Sequence, residues 1–275
     1  MKTSRLGFGR RTPVAPSLVL VAMALSLLVS ASPAYAATHL STITYTSNTT
    51  WTAANSPYVL DGNVTVAAGA TLTIEPGVVV KLNGTFRELR VSGTLSAVGT
   101  AASHVVFTSY QDDTAGGDTN GDGAATSGAA GQWTDIYVNS GNANTHLQYA
   151  EVRFGGLGSQ KWNYGALNVT GSGSSVLVED STFSSNQASG IHVGTQDTAG
   201  VTVRRSTLSS NGDGISVNGG FMKVEDNTSV RNNSEDGLYW NLGSAFSGPQ
   251  SYVVDSEVRS NSRDGGHLQV DGVWT

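Results

Sequence analysis

Cysteine is absent from all 275 residues. That excludes a disulfide framework, so stability must come from an apolar core. Proline is scarce at 6 residues, and charged residues make up only 13% of the chain. No apolar run long enough to cross a bilayer occurs. Helical periodicity is also missing: beyond residue 36 no segment repeats apolar residues at intervals of three and four. The chain therefore reads as nearly all β. Basic charge is short as well. Lys2, Arg5, Arg10 and Arg11 are four of the fifteen basic residues, and no acid lies among the first 36. The remainder carries 11 basic against 21 acidic residues, a formal −10. This balance argues against nucleic acid and anionic membrane surfaces as partners and suits divalent cations or neutral glycans.

The first 36 residues have the layout of a secretory signal peptide. A basic start precedes the apolar run Leu18 to Val29, and Ala34-Tyr35-Ala36 is a small-x-small cleavage site. The expected mature chain starts near Ala37 and is secreted, extracellular or held at the cell surface. Arg10-Arg11 is followed by Thr12-Pro13 rather than by apolar residues, which favours the general secretory route over a twin-arginine one.

What the chain does have is a degenerate repeat. Four segments align: Val176 to Val193, Val201 to Val217, Val224 to Trp240 and Val254 to Leu268. Each holds two short β-branched runs with alternating apolar residues, joined at an Asn/Gly corner. Asn186, Asn211, Asn232 and Asn261 anchor the alignment, 25, 21 and 29 residues apart. Such a unit buries nothing alone and must stack on its neighbours, so each is expected to be one coil of a β-solenoid. Residues 37–57 are expected as an N-terminal cap and 58–275 as the solenoid. Short strands are expected from Tyr58 onward, among them Trp133–Val138 and Leu147–Phe154, with Gly and Asn supplying left-handed corners. Residues 110–131 break the pattern as a Gly-rich acidic loop with four aspartates. No cap is visible after Val270. The expectation is that the gene continues, or that a partner covers the last rung.

Three stretches carry a resemblance: Val64 to Lys81, Val91 to Thr100, and Val106-Phe107-Thr108-Ser109 leading into the aspartate loop. They resemble bacterial secreted right-handed parallel β-helix repeat proteins of the pectate-lyase-like superfamily, across most of residues 58–270. The resemblance implies a right-handed parallel β-helix. It does not imply one activity, because that superfamily spans lyases, hydrolases, epimerases and adhesins.

Alternation sorts the side chains. Val176 and Val178, Val201 and Val203, Ile191 and Val193, and Ile215 and Val217 should stack inward. Outward columns follow: Glu179, Arg204, Glu225 and Asp255; then Asp180, Arg205 and Asp226. Rungs about 4.8 Å apart make these charges neighbours, a structural ladder rather than a catalytic cluster. Another outward column is Asn168, His192, Ser216, Tyr239 and His267, in which His192, Tyr239 and His267 are candidate glycan contacts.

The strongest chemical motif is Asp118-Thr119-Asn120-Gly121-Asp122-Gly123, the opening of an EF-hand-type calcium loop. Ala129 stands where such a loop places its bidentate Glu. Asp112 and Asp113 are candidates for the missing oxygens, so the expected ion is a structural calcium held by Asp112, Asp113, Asp118, Asn120 and Asp122. Catalysis is poorly supported. Asp112-Asp113 resembles the paired aspartates of polygalacturonases, but their Gly-His-Gly and Arg-x-Lys companions are missing. Lys161, Lys223 and Arg231 are the available bases for a lyase, and no spacing singles one out. Trp162 and Tyr164 lie in an insertion, Gly155 to Gly165, suited to stacking on sugar rings. Trp240 aligns with inward Val217 and reads as core.

Three functions follow as expectations. The first is a secreted or surface non-catalytic scaffold that binds glycan or cell-envelope material. The second is a calcium-dependent polysaccharide lyase, ahead of a glycoside hydrolase. The third is a structural piece of a longer protein.

Overall fold

A computed structural model describes residues 36–139, 144–158, 164–194, 198–242 and 250–270. Apart from Ala36, the expected signal peptide lies outside the described residues, as do Lys161 and Trp162. No helix among the described residues is long and apolar enough to cross a membrane.

The described chain winds through three parallel sheets, and each strand pairs with the strand three further along. Sheet A runs in nine strands from Thr38–Leu40 to Glu257–Arg259, sheet B in nine from Ile43–Tyr45 to Gly266–Val270, and sheet C in eight from Thr49–Trp51 to Tyr252–Val253. One coil takes one strand from each sheet. The stretch 37–57 is itself the first coil: its strands pair in register with Tyr58–Leu60, Val64–Val66 and Thr71–Ile74. There Trp51 and Tyr58 stack at 4.8 Å and cover the first apolar layer.

Parity decides the core. Ile136, Leu167, Ile191, Ile215 and Leu238 are register partners in sheet B, each at most 6% exposed. The valine pairs at 176/178 and 201/203 and the apolar pairs at 191/193 and 215/217 all point inward as expected. Trp240 pairs with Val217 and packs partly buried on this core. Residues Leu147–Phe154, expected as one strand, form two: Asn144–Gln148 in sheet C and Ala150–Arg153 in sheet A. The break falls at Tyr149, whose φ is 46°.

That break belongs to a column. Tyr149, Asp180, Arg205, Asp226 and Asp255 all take a left-handed φ of 46–55°, one per coil, where sheet C turns into sheet A. Phe154, Ser185, Ser210, Asn232 and Ser260 do the same where sheet A turns into sheet B. Corners expected to use Gly and Asn are therefore turned largely by Asp, Ser and other residues that each give up about 1–2 kcal/mol of backbone preference. Hydrogen bonds between neighbouring corners offset that cost: Asp180 N donates to Arg204 O at 3.1 Å, and Arg205 N to Asp226 O at 3.0 Å.

Two positions require correction. Asp255 belongs beside Asp226, not Glu225, because Lys223 pairs with Tyr252 and Val224 with Val253. The third anchoring asparagine is Asn233, not Asn232. Asn232 occupies the left-handed corner and is exposed. Asn233 is fully buried, accepts from Asn211 N and donates Nδ2 to Asn261 Oδ1. The ladder is thus Asn186–Asn211–Asn233–Asn261. A second ladder, Ser181–Ser206–Thr228–Ser256, lines the opposite corner, each hydroxyl accepting the backbone N–H of the preceding rung.

Glycine is obligatory where coils approach closely. A Cβ on Gly214 would lie 2.3 Å from Val230 Cγ1 and 2.4 Å from Gly237 O, and one on Gly237 would lie 2.4 Å from Val258 Cγ1.

Candidate functional site

The acidic loop leaves sheet A after Val105–Ser109 and enters sheet B at Asp135–Val138. Lys81 anchors it. This lysine is fully buried, and its Nζ donates to Gly117 O at 2.6 Å and Thr119 Oγ1 at 2.9 Å. Burial lowers its pKa, while the charges of Asp112, Asp113 and Asp118 oppose that shift. Asp118 shapes the turn by accepting the backbone N–H of Gly121 (2.7 Å), Asp122 (3.2 Å) and Gly123 (2.9 Å).

The loop gathers Asp113, Asp118 and Asp122, with one oxygen from each within 4.8 Å of the others. Asp113 Oδ1, Asn120 Oδ1 and Asp122 Oδ1 are shielded from solvent and have no hydrogen-bond partner. Unpaired buried oxygens are costly, and hard oxygens converging on one point are what calcium takes. Asp112 stands apart. It is 2% exposed, accepts from Thr108 (2.6 Å) and Thr114 (2.6 Å), and pairs with Arg153 at 2.8 Å. Burial would raise its pKa, but these hydrogen bonds and the guanidinium hold it below the usual carboxylate range.

The outward column of sheet B has the expected register: Asn168, His192, Ser216, Tyr239 and His267. Its surroundings differ from those of an open face. Asn168, His192 and Ser216 are at most 6% exposed. His192 Nδ1 and Ser216 Oγ lie 2.8 Å apart, and burial lowers the imidazole pKa to about 4. Nearby Asp135 is buried as well: burial raises its pKa to about 7, and Asn168 Nδ2 donates to it at 3.3 Å. Tyr239 and His267 stack at 5.4 Å and remain half-buried. Asp236, Asp264 and His267 also come within 4.8 Å. Both Asp236 oxygens already accept from Arg263, so that carboxylate is paired within the protein.

Tyr164 is 40% exposed and lines a groove of about 560 Å³ with Phe86, Thr134, Leu157, Gly158 and Gln187. Phe86, at 77%, is the most exposed large apolar side chain described. Sequence reading missed it. The available signal was a lone aromatic in Gly84-Thr85-Phe86-Arg87, a turn where apolar side chains have no core to enter. The far end of the acidic loop reaches this groove, since Gly131 packs against Gln187. The proposed lyase bases are scattered. Lys223 is on sheet C, between the rings of Phe221 and Tyr252, and Arg231 is on sheet A, bonded to Ser229.

Stacked parallel coils with grooved outer faces define a class of solenoid protein. Residues 131–272 match the family model for the right-handed β-helix region, and the chain belongs to that family. No curated protein and no solved structure matches the chain significantly.

Proposed function

We propose that this protein is a secreted or cell-surface β-helix scaffold, without catalysis, that binds glycan or cell-envelope polysaccharide. The observation that carries this reading is the groove between Phe86 and Tyr164. Two exposed rings beside a mostly apolar wall match the flat, apolar face of a pyranose, while Gln187 and Thr134 offer hydrogen bonds at the rim. The surplus of acidic charge favours neutral glycans over polyuronates.

The acidic loop is proposed as a calcium clip, with Asp113, Asp118, Asn120 and Asp122 as ligands. The orphaned oxygens of Asp113, Asn120 and Asp122 support the assignment, and Asp112 serves instead as the partner of Arg153. The ion would tie down the loop between the sheets rather than act on a substrate.

The test is calorimetric titration of the purified protein with cellohexaose, xylohexaose, mannohexaose and hexagalacturonate, with product analysis on the same samples. The expected result is binding of a neutral hexasaccharide, weakened at least tenfold in Phe86→Ala and Tyr164→Ala. Binding indifferent to both substitutions, or no binding, overturns the groove assignment. New reducing ends or unsaturated products overturn the non-catalytic reading.

A further inference from the structure

A second groove, of about 640 Å³, crosses the outward face of sheet A. Its floor is Val79, Val106, Glu151 and Arg153. One wall is the turn at Ala101 and Ala102, and the other is Thr114 and Ala115 at the start of the acidic loop. The small walls leave room for a ligand to reach the floor. At its centre one carboxylate holds two groups: His104 Nδ1 lies 3.0 Å from Glu151 Oε1, and Arg153 Nη1 donates to Glu151 Oε2 at 3.3 Å. Arg153 is braced from behind, its Nε donating to Asp112 at 2.9 Å and Nη2 to Thr114 at 2.8 Å. Tyr149 stacks on the His104 ring at 6.0 Å.

This arrangement leaves specific groups open. With Nδ1 donating to Glu151, Nε2 is the ring's second polar atom, an acceptor whenever it carries no proton, and no described residue occupies it. Arg153 Nη1 retains a second N–H. The His104 side chain is 35% exposed, so the acceptor faces the groove rather than the core. An acceptor and a donor fixed on the two oxygens of one carboxylate complement a hydroxyl, which gives one hydrogen bond and takes another. Asp112 and Glu151 together outweigh Arg153, so the floor opposes an anionic ligand.

We infer that this groove is a second glycan subsite, in which His104 and Arg153 read the hydroxyls of a neutral sugar and Glu151 positions both. The inference rests on the glycan-binding reading above, but on different residues and a different face. The acidic loop touches both grooves: its beginning walls this one, and its end packs on Gln187 of the other.

The test follows the His104 imidazole signals by NMR, assigned with His104→Gln, while cellohexaose, xylohexaose, mannohexaose or hexagalacturonate is added. The background is Phe86→Ala/Tyr164→Ala, which silences the corner groove. The expected result is a saturable shift of the His104 signals with a neutral hexasaccharide, and at least fivefold weaker binding in Glu151→Ala. Unmoved His104 signals, in a protein whose unmodified form still binds glycan at the corner, overturn the subsite alone. A response to hexagalacturonate equal to that with neutral sugars overturns its selectivity. If the unmodified protein binds no glycan at either groove, both readings fall together.

Discussion

Asn211 Oδ1 accepts both the backbone N–H and the side-chain Nδ2 of Asn186, at 3.2 and 2.9 Å. Asn211 in turn donates its own N–H and Nδ2 to Asn233 Oδ1, at 3.1 and 3.2 Å. Each coil thus closes the buried polar groups of the one before it. Asn211→Ala strands the Asn186 backbone N–H and leaves Phe183 O without the Asn211 Nδ2 donor, while Asn186 Nδ2 keeps Val152 O and the backbone N–H of residue 211 still reaches Asn233 Oδ1. An unsatisfied buried group costs about 1–3 kcal/mol, and that is the loss expected in urea unfolding. Asn232→Gly, one residue outside the ladder at φ 56°, should change stability by less than about 1 kcal/mol. Equal losses at the two positions would contradict the ladder.

Burial gives His192 a distinct pH signature. Its folded pKa, about 4, lies below the unfolded value of 6.5. Above pH 6.5 both states are neutral there and nothing is lost. As pH falls from 6.5 towards 4, only the unfolded chain takes up the proton, which favours unfolding by up to about 3 kcal/mol. His192→Asn removes this penalty. Measured against pH, the stability of His192→Asn relative to the unmodified protein should rise steadily between pH 6.5 and 4.

Asp135 slopes the other way. Its pKa is raised from 3.8 to about 7, so its contribution is present below pH 3.8 and is lost as pH climbs towards 7. Asp135→Asn keeps the shape and carries no charge. Its stability relative to the unmodified protein should rise as pH goes from 4 to 7, the opposite trend from His192→Asn. Parallel trends in the two variants would contradict the assigned environments.

Calcium should raise the melting temperature and chelator should lower it. At a hundredfold excess over Kd, binding to the folded state alone adds about 2.7 kcal/mol. Asp122→Ala should abolish most of the response, because it removes an oxygen with no other partner. Asp112→Asn should destabilise the protein while leaving the calcium response in place, because Asp112 serves Arg153, Thr108 and Thr114.

Lys81→Met tests how the loop is held. It removes the two bonds to Gly117 and Thr119 and leaves three carboxylates facing no ammonium. The expected outcome is faster proteolytic cleavage within residues 110–131 and a loss of about 1–3 kcal/mol. Cleavage no faster than in the unmodified protein would show that the ion and the turn hold the loop unaided.

Much of the architecture could be read from the residues. Alternation with period two placed Val176, Val178, Ile191 and Ile215 inward, and the register of Asn168, His192, Ser216, Tyr239 and His267 followed from aligning repeats. The errors fell at the corners. Asn232 and Asn233 are identical neighbours in sequence, and only the left-handed φ of the first shows which one faces in. Asp255 slipped because its coil has a strand of only two residues, Tyr252–Val253, too short to show parity. The spacing of Asp118, Asn120 and Asp122 marked one turn, and the structure brings Asp113 to Asp118 and Asp122. Asp113 could not be separated from Asp112 until Arg153, 41 residues away, was seen to claim the latter.

The sequence by itself determined the parallel solenoid, because a repeated apolar alternation in coils of 20-odd residues buries its side chains only by stacking. It also determined which face of each strand enters the core, since side chains alternate with period two. Tertiary structure alone decided what the outer surface presents. Phe86 and Tyr164 meet in one groove, and His104 meets Glu151 in another, because successive coils bring distant segments to adjacent rungs. Neighbouring rungs then determine which outward residues are buried, as at His192 between Asn168 and Ser216, and which stay open, as at His104. No local pattern encodes that covering, because it depends on contacts between segments far apart in the chain.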